Sequence, residues 1–256
     1  MTNDFYDPMA PFYHLIHGDW EESVRSQSEA IDQIIRRRWG QGVETILDVT
    51  CGIGTQALGL AAKGYEVTGS DISEGALERA RAEAAARGLD IAFSAGDMRN
   101  VHKDHDRRFD LVMSADNAVT HLLTDDDILT ALSSLYRAAK PGGGALVSMR
   151  DYDNVTRGGT QLHPFGVREV GGVRWSVYQV WDWRPNNNGG GSDVYDFAMY
   201  FTADDGQAEL KTHVMRSAFY ALRPARMMEL FREAGFTDVA RIDGVFFQPV
   251  IVGNKH

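Results

Sequence analysis

Only one cysteine, Cys51, stands among 256 residues, which excludes an internal disulfide and any cysteine zinc site. Nowhere do about 18 apolar residues run together. The opening MTNDFYDPMAPFYHL also lacks the basic start and apolar centre of a signal peptide. These absences predict a cytoplasmic protein with no membrane partner. Basic charge is scarce, with 26 Lys and Arg against 36 Asp and Glu and a net charge of −10. Nucleic acid is therefore not an expected partner, since affinity for a polyphosphate comes mainly from clustered Lys and Arg. The cluster Arg36-Arg37-Arg38 falls at the end of a predicted helix, where it complements the helix dipole. No metal is expected. His102 and His105 have no ligand pattern around them, and Asp125, Asp126 and Asp127 point in different directions around a helix that they help to start.

The remaining composition, 43% hydrophobic, suits one domain with an insertion or a small lid. Its most informative stretch is TILDVTCGIGTQALGLA, Thr45 to Ala61. Thr45 to Val49 reads as a short buried strand, and Gly52 and Gly54 allow a tight turn into a helix from about Thr55. Such glycines let backbone amides approach a ligand closely. The glycines alone leave a dinucleotide site open. Asp48, four residues before the first glycine, would repel a pyrophosphate and welcome a cationic ligand.

Around this stretch the chain alternates strands and helices. Residues 1–18 are too irregular for a helix and too aromatic for a disordered tail, so they should pack on something. A helix from Trp20 to Arg38 places Trp20, Val24, Ile31, Ile34 and Ile35 on one stripe. A second strand, Glu66 to Ser70, ends at Asp71, where an acid can accept both ribose hydroxyls of a nucleoside. Ser73 caps the next helix, Glu74 to Arg87, and a third strand, Ile91 to Ala95, leads to Gly96-Asp97-Met98. Val101 to Arg108 reads as an exposed connection. A fourth strand, Phe109 to Ser114, is followed by a helix from Asp125 to about Ala139 capped by Thr124. Lys140 to Gly144 breaks that helix before a fifth strand, Ala145 to Met149. Val173–Trp183, Val194–Thr202 and Leu210–Tyr220 then have the aromatic, β-branched content of antiparallel strands, with a mobile hairpin tip at Asn186 to Gly191. Pro224 starts the last helix, and Asp238–Ile242 and Phe246–Gly253 form a closing hairpin.

The run D-V-T-C-G-I-G-T resembles motif I of class I S-adenosylmethionine-dependent methyltransferases. The resemblance implies a Rossmann-like α/β fold, a mostly parallel sheet with an antiparallel last strand, and an antiparallel β insertion as a lid. It divides the chain into an N-terminal cap (1–40), a cofactor-binding core (41–153), the lid (154–222) and a C-terminal helix and hairpin (223–256). The cofactor would be S-adenosylmethionine, held by Asp48, Gly52, Gly54, Asp71, Ile72, Asp97, Met98 and Ala115, with Arg25 on its carboxylate.

More narrowly, D-N-A-V-T-H-L, R-D-Y-D-N-V and S-A-F-Y-A-L-R are similar to segments of glycine and sarcosine N-methyltransferases. That likeness implies a small-molecule acceptor whose carboxylate pairs with Arg150 and whose amine lies near Asn117, with Tyr152 and Tyr178 completing the acceptor side. Tyr6 and Tyr220 would line the methyl-transfer region, and His121 would take the amine proton. Asp116, where that subfamily often has glycine, adds a negative charge near the acceptor. Rival readings are methylation of another small molecule at nitrogen or oxygen, an NAD-binding reductase, and a binding module without catalysis. A homo-oligomer is left open.

Overall fold

The computed structural model describes residues 5–185 and 191–256, so most of the Asn186–Gly191 tip lies outside the described residues. The alternation of strand and helix signals resolves into a seven-stranded sheet in the order β10-β11-β5-β4-β1-β2-β3. Strands β1 (Thr45–Asp48), β2 (Glu66–Asp71), β3 (Ala92–Ala95), β4 (Phe109–Ser114) and β5 (Ala139–Ser148) run parallel. The closing hairpin is β10 (Thr237–Ile242) and β11 (Val250–Asn254), and β11 inserts antiparallel beside β5. Side chains alternate across the sheet as the strand period requires. Ile46 and Leu111 face one core, with Ile31, Ile34 and Ile35 of helix α2 (Trp20–Arg38), and Leu47 and Val112 face the other. On that second side lies helix α6 (Asp125–Ala138), whose N-cap is the expected Thr124, accepting from the Asp127 amide. The last helix, α7 (Pro224–Glu233), opens on its proline.

Four local expectations change. Residues 5–18 form a short helix α1 (Tyr6–Met9) and a 3-10 turn (Tyr13–Ile16), because Phe5, Met9 and Leu15 are buried in the core and tertiary contact overrides weak local propensity. Val101 to Arg108 is not simply an exposed connection: Val101–Asp104 is helix α5 and Val101 is fully buried. The run Lys140 to Gly144 belongs to β5 instead of breaking before it. Gly144 lies so close to the Gly253 carbonyl and the Trp39 ring that any Cβ would clash, so the glycines serve strand packing. The lid has four strands in the order β6-β7-β8-β9, not three: β6 (Thr160–Val170), β7 (Val173–Pro185), β8 (Gly191–Asp204) and β9 (Lys211–Tyr220). Edge strand β6 carries Pro164 and Gly166 at a bulge, which breaks its period.

The lid turns Val177, Gln179, Trp181, Phe197 and Phe219 toward the carboxyl ends of β1, β4 and β5 and roofs them. A parallel sheet opens its ligand crevice at that end. No described helix is long and apolar enough to cross a membrane.

Candidate active site

The glycine turn forms the floor of a cavity at the ends of β1, β2 and β4, walled by Gly52, Asp71, Ile72, Asp97, Met98 and Ala115 among others. Gly54 adopts φ +94° as the N-cap of helix α3 (Thr55–Ala62). Gly52, at φ +52°, presents its Cβ position to open space. Its amide donates to Asp71 Oδ2 (2.8 Å), and the Ser73 amide donates to Asp71 Oδ1 (2.9 Å). The Asp71 carboxylate therefore ties the turn to the start of helix α4 (Glu74–Ala86). Asp97 is held from outside by Arg99, whose Nη2 donates at 2.6 Å. Met98 is buried against the cavity.

Charge decides what this cavity can hold. Asp71, Asp97 and Asp116 line it, and among the described residues no lysine or arginine does. A diphosphate would meet three carboxylates and no cationic side chain there, whereas a nucleoside carrying positive charge fits. Behind the floor, Asp48 is fully buried; its Oδ1 accepts from the Thr50 amide at 3.3 Å, while Oδ2 has no hydrogen-bond partner among the described residues. Burial pushes the Asp48 carboxyl up to about 7, the Thr50 amide draws it back, and the charge of Asp71 adds to the rise. Burial raises Asp71 too, against its amide donors.

Because Asp48 gains a proton more readily in the folded state than in the unfolded chain, its protonated form stabilises the fold below the ordinary carboxylate pKa. That contribution is lost as pH rises through about 7. The ligand-free protein should thus melt higher at pH 5.5 than at pH 8. Asp48→Asn should flatten the slope, which runs to at most about 1.4 kcal/mol per pH unit. A melting series with the same slope in both proteins would refute this.

A second chamber adjoins the first and shares Tyr6, Tyr13 and Asp116 with it. Arg150, Asn117, Gln179 and Gln248 bring polar groups to it, and Phe165, Phe197, Phe219 and Phe247 bring apolar walls. The Arg150 guanidinium donates from Nη1 to Tyr195 Oη (2.7 Å) and lies over the Trp181 ring at 4.5 Å. Among the described residues no carboxylate forms an ion pair with it. Burial works against its charge, but Tyr195, Tyr152 and Asp116 more than offset this and raise its pKa. An enclosed cation without a counterion is an anion site in waiting.

Asn117 is held within the protein, with Nδ2 donating to Tyr152 Oη (3.0 Å) and Oδ1 accepting from the Arg150 amide (2.9 Å). Asn117 and Tyr152 therefore set the Arg150 backbone and the Tyr195 hydroxyl, which lies 3.1 Å from Tyr152 Oη. Tyr6 Oη sits 2.7 Å from His121 Nε2, and His121 Nδ1 lies 3.2 Å from Ser217 Oγ. Burial pushes the His121 imidazole down to about 3, against the Ala218 backbone contact. The ring is neutral at physiological pH. With its proton on Nδ1, it accepts the Tyr6 hydroxyl at Nε2 and aims the Tyr6 oxygen.

Three residues expected at the site lie elsewhere. Arg25 is exposed, off the buried stripe of α2, and pairs with Glu22. Tyr178 points to the outer face of the lid and stacks on Tyr200 at 4.8 Å; its strand neighbour Gln179 faces the chamber instead. Tyr220 donates to Asp125 Oδ1 (2.9 Å), and Phe219 takes the inner face. Conversely, Tyr13, Gln179 and Gln248 had no motif to mark them. The aromatic content of residues 1–18 was the only signal for Tyr13.

Residues 46–143 match the methyltransferase domain family. In this match and in its fold the chain is similar to class I S-adenosylmethionine-dependent methyltransferases. Glycine/sarcosine N-methyltransferase of Parasynechococcus marenigrum (strain WH8102) is 32% identical over 56% of this chain and 50% of its own length. Ubiquinone biosynthesis O-methyltransferase of Alkalilimnicola ehrlichii is also 32% identical, over 46% of this chain and 46% of its own. The chain spans about half the length of the curated relatives it matches. Among solved structures, Streptomyces venezuelae DesVI shares this fold at TM-score 0.78 and 21% identity, over 96% of both chains.

Proposed function

We propose that the protein transfers a methyl group from S-adenosylmethionine to the amine of a small carboxylate-bearing acceptor. The observation that carries this reading is Arg150, a cation without a carboxylate partner in a chamber that opens onto the glycine-turn cavity. Asp71, Asp97 and Met98 would hold the adenosine part of the cofactor, with the amides of the glycine turn and the unpartnered Asp48 oxygen near its charged end. When bound, S-adenosylmethionine supplies an electrophilic methyl group that needs no protein nucleophile. The chain's own task is alignment and exclusion of water. Arg150 orients the acceptor carboxylate through paired donors. The oxygens of Tyr6 and Asp116, at the junction of the two chambers, face the amine as it becomes cationic.

Nitrogen is favoured over oxygen as the methylated atom. An amine gives its ammonium proton to solvent before binding and attacks as the neutral form, whereas a hydroxyl enters with its proton and must lose it within the enclosed site. His121, with its pKa near 3 and Nε2 engaged by Tyr6, is too weak a base for that.

The test is incubation with methyl-labelled S-adenosylmethionine and a panel of glycine, sarcosine, other amino acids and simple phenols. N-methylated amino acids are expected. Labelled phenol ethers alone, or protection in thermal melts by NADH and not by S-adenosylhomocysteine, would overturn the reading.

A further inference from the structure

The acceptor chamber is not closed. Ile16, Asp116, Phe165 and Phe247 line it and also line a third cavity that runs out past the start of α2 to the β10–β11 connection. The outer cavity measures about 460 Å³ against about 140 Å³ for the chamber. Asp116 is the single described residue common to all three spaces. A glycine held by Arg150 with its amine toward Asp116 would leave the outer space empty and Phe247, 59% exposed, bare at its mouth.

The walls say what belongs there. One side is apolar, with Ile16, Phe165, Phe246 and Phe247. The other presents the hydroxyls of Ser23 and Ser26, whose protons go to the Asp19 and Glu22 carbonyls. Their oxygens remain as acceptors. His17 adds an Nε2 atom with no hydrogen-bond partner among the described residues. Asp116 is the only charged side chain among the described lining residues. With no lysine or arginine in the lining, a phosphate or second carboxylate would be desolvated without compensation. A flat neutral group with a hydrogen-bond donor at one edge satisfies both walls.

From this arrangement we infer that the acceptor is an amino acid bearing a neutral ring: its carboxylate lies on Arg150, its amine at Asp116, and its ring in the outer cavity. This rests on the reading of the previous subsection and narrows its substrate class.

Steady-state kinetics on the full chain distinguish the two. Glycine, sarcosine, N-benzylglycine and both enantiomers of phenylalanine, tyrosine and tryptophan are compared under saturating cofactor. At least one ring-bearing acid should exceed glycine and sarcosine in kcat/KM by about tenfold or more, chiefly through KM. Ser26→Trp, which fills the outer cavity from an exposed helix position, should bring the ratio of the preferred acid to glycine down toward one. Phe247→Ala should lower the same ratio. Thermal protection by S-adenosylhomocysteine checks that each variant is folded. Glycine or sarcosine matching every ring-bearing acid, or a ratio untouched by both variants, overturns the inference and leaves N-methylation standing. Absence of N-methyl product from any amine fails the earlier reading and takes this one with it.

Discussion

Arg150→Met should raise KM for the carboxylate acceptor and lower kcat/KM by about two to three orders of magnitude, the cost of leaving a buried carboxylate without its cation. Binding of S-adenosylhomocysteine should change little, because Arg150 lines the acceptor chamber and not the glycine-turn cavity. Stability supplies an independent readout. In the free protein the enclosed Arg150 charge is held by Tyr195, Tyr152, the Trp181 ring and the more distant Asp116 carboxylate. These contacts more than offset the burial cost, so an apolar side chain of similar length forfeits a small net gain, and the melting temperature should fall only slightly while activity falls by orders of magnitude. Arg150→Lys keeps the charge but loses the planar pair of donors, and should land between the two. Equal losses for acceptor and cofactor would mean that Arg150 acts through the fold.

The parts of this molecule that were legible in the sequence are those whose signal is local. The α2 stripe, the Thr124 cap and the strand–glycine–helix unit around Gly52 and Gly54 each need only a dozen neighbouring residues to specify them. The acids Asp48, Asp71 and Asp97 were readable for a related reason: each sits at a strand end, and one helix and one strand fix the spacing between them. The acceptor side was harder. Tyr178 and Gln179 are adjacent on a strand with bulky residues on both faces, so its pattern does not say which face turns inward. Gln248 reaches Asp116 from 132 residues away, and no periodicity carries such a pairing. Arg25 illustrates the opposite failure. The stripe Val24, Ile31 and Ile35 already places it off the buried face of α2, and a family likeness drew it inward against that geometry.

Asp71→Asn is expected to weaken S-adenosylhomocysteine binding by about a hundredfold or more while leaving a folded protein, since charge-assisted hydrogen bonds contribute about 1.5–3 kcal/mol each. A carboxylate has about four acceptor positions, and the Gly52 and Ser73 amides use one on each oxygen. One further position per oxygen remains, the number that two vicinal ribose hydroxyls require. An asparagine has one oxygen. Whichever way its amide turns, the nitrogen faces either the Gly52 or the Ser73 N–H, so a donor meets a donor and the turn is pushed from the cavity floor. The unliganded protein feels a compensating effect, because burial raises the Asp71 pKa against those same amides. Removing the charge relieves that burial cost, and the stability of the free protein should fall far less than its affinity. Isothermal titration with S-adenosylhomocysteine measures the affinity loss, and a melt without ligand measures the other term. A change in affinity below about threefold, on the scale of an ordinary surface substitution, would show that Asp71 serves the turn alone and that the nucleoside is held elsewhere.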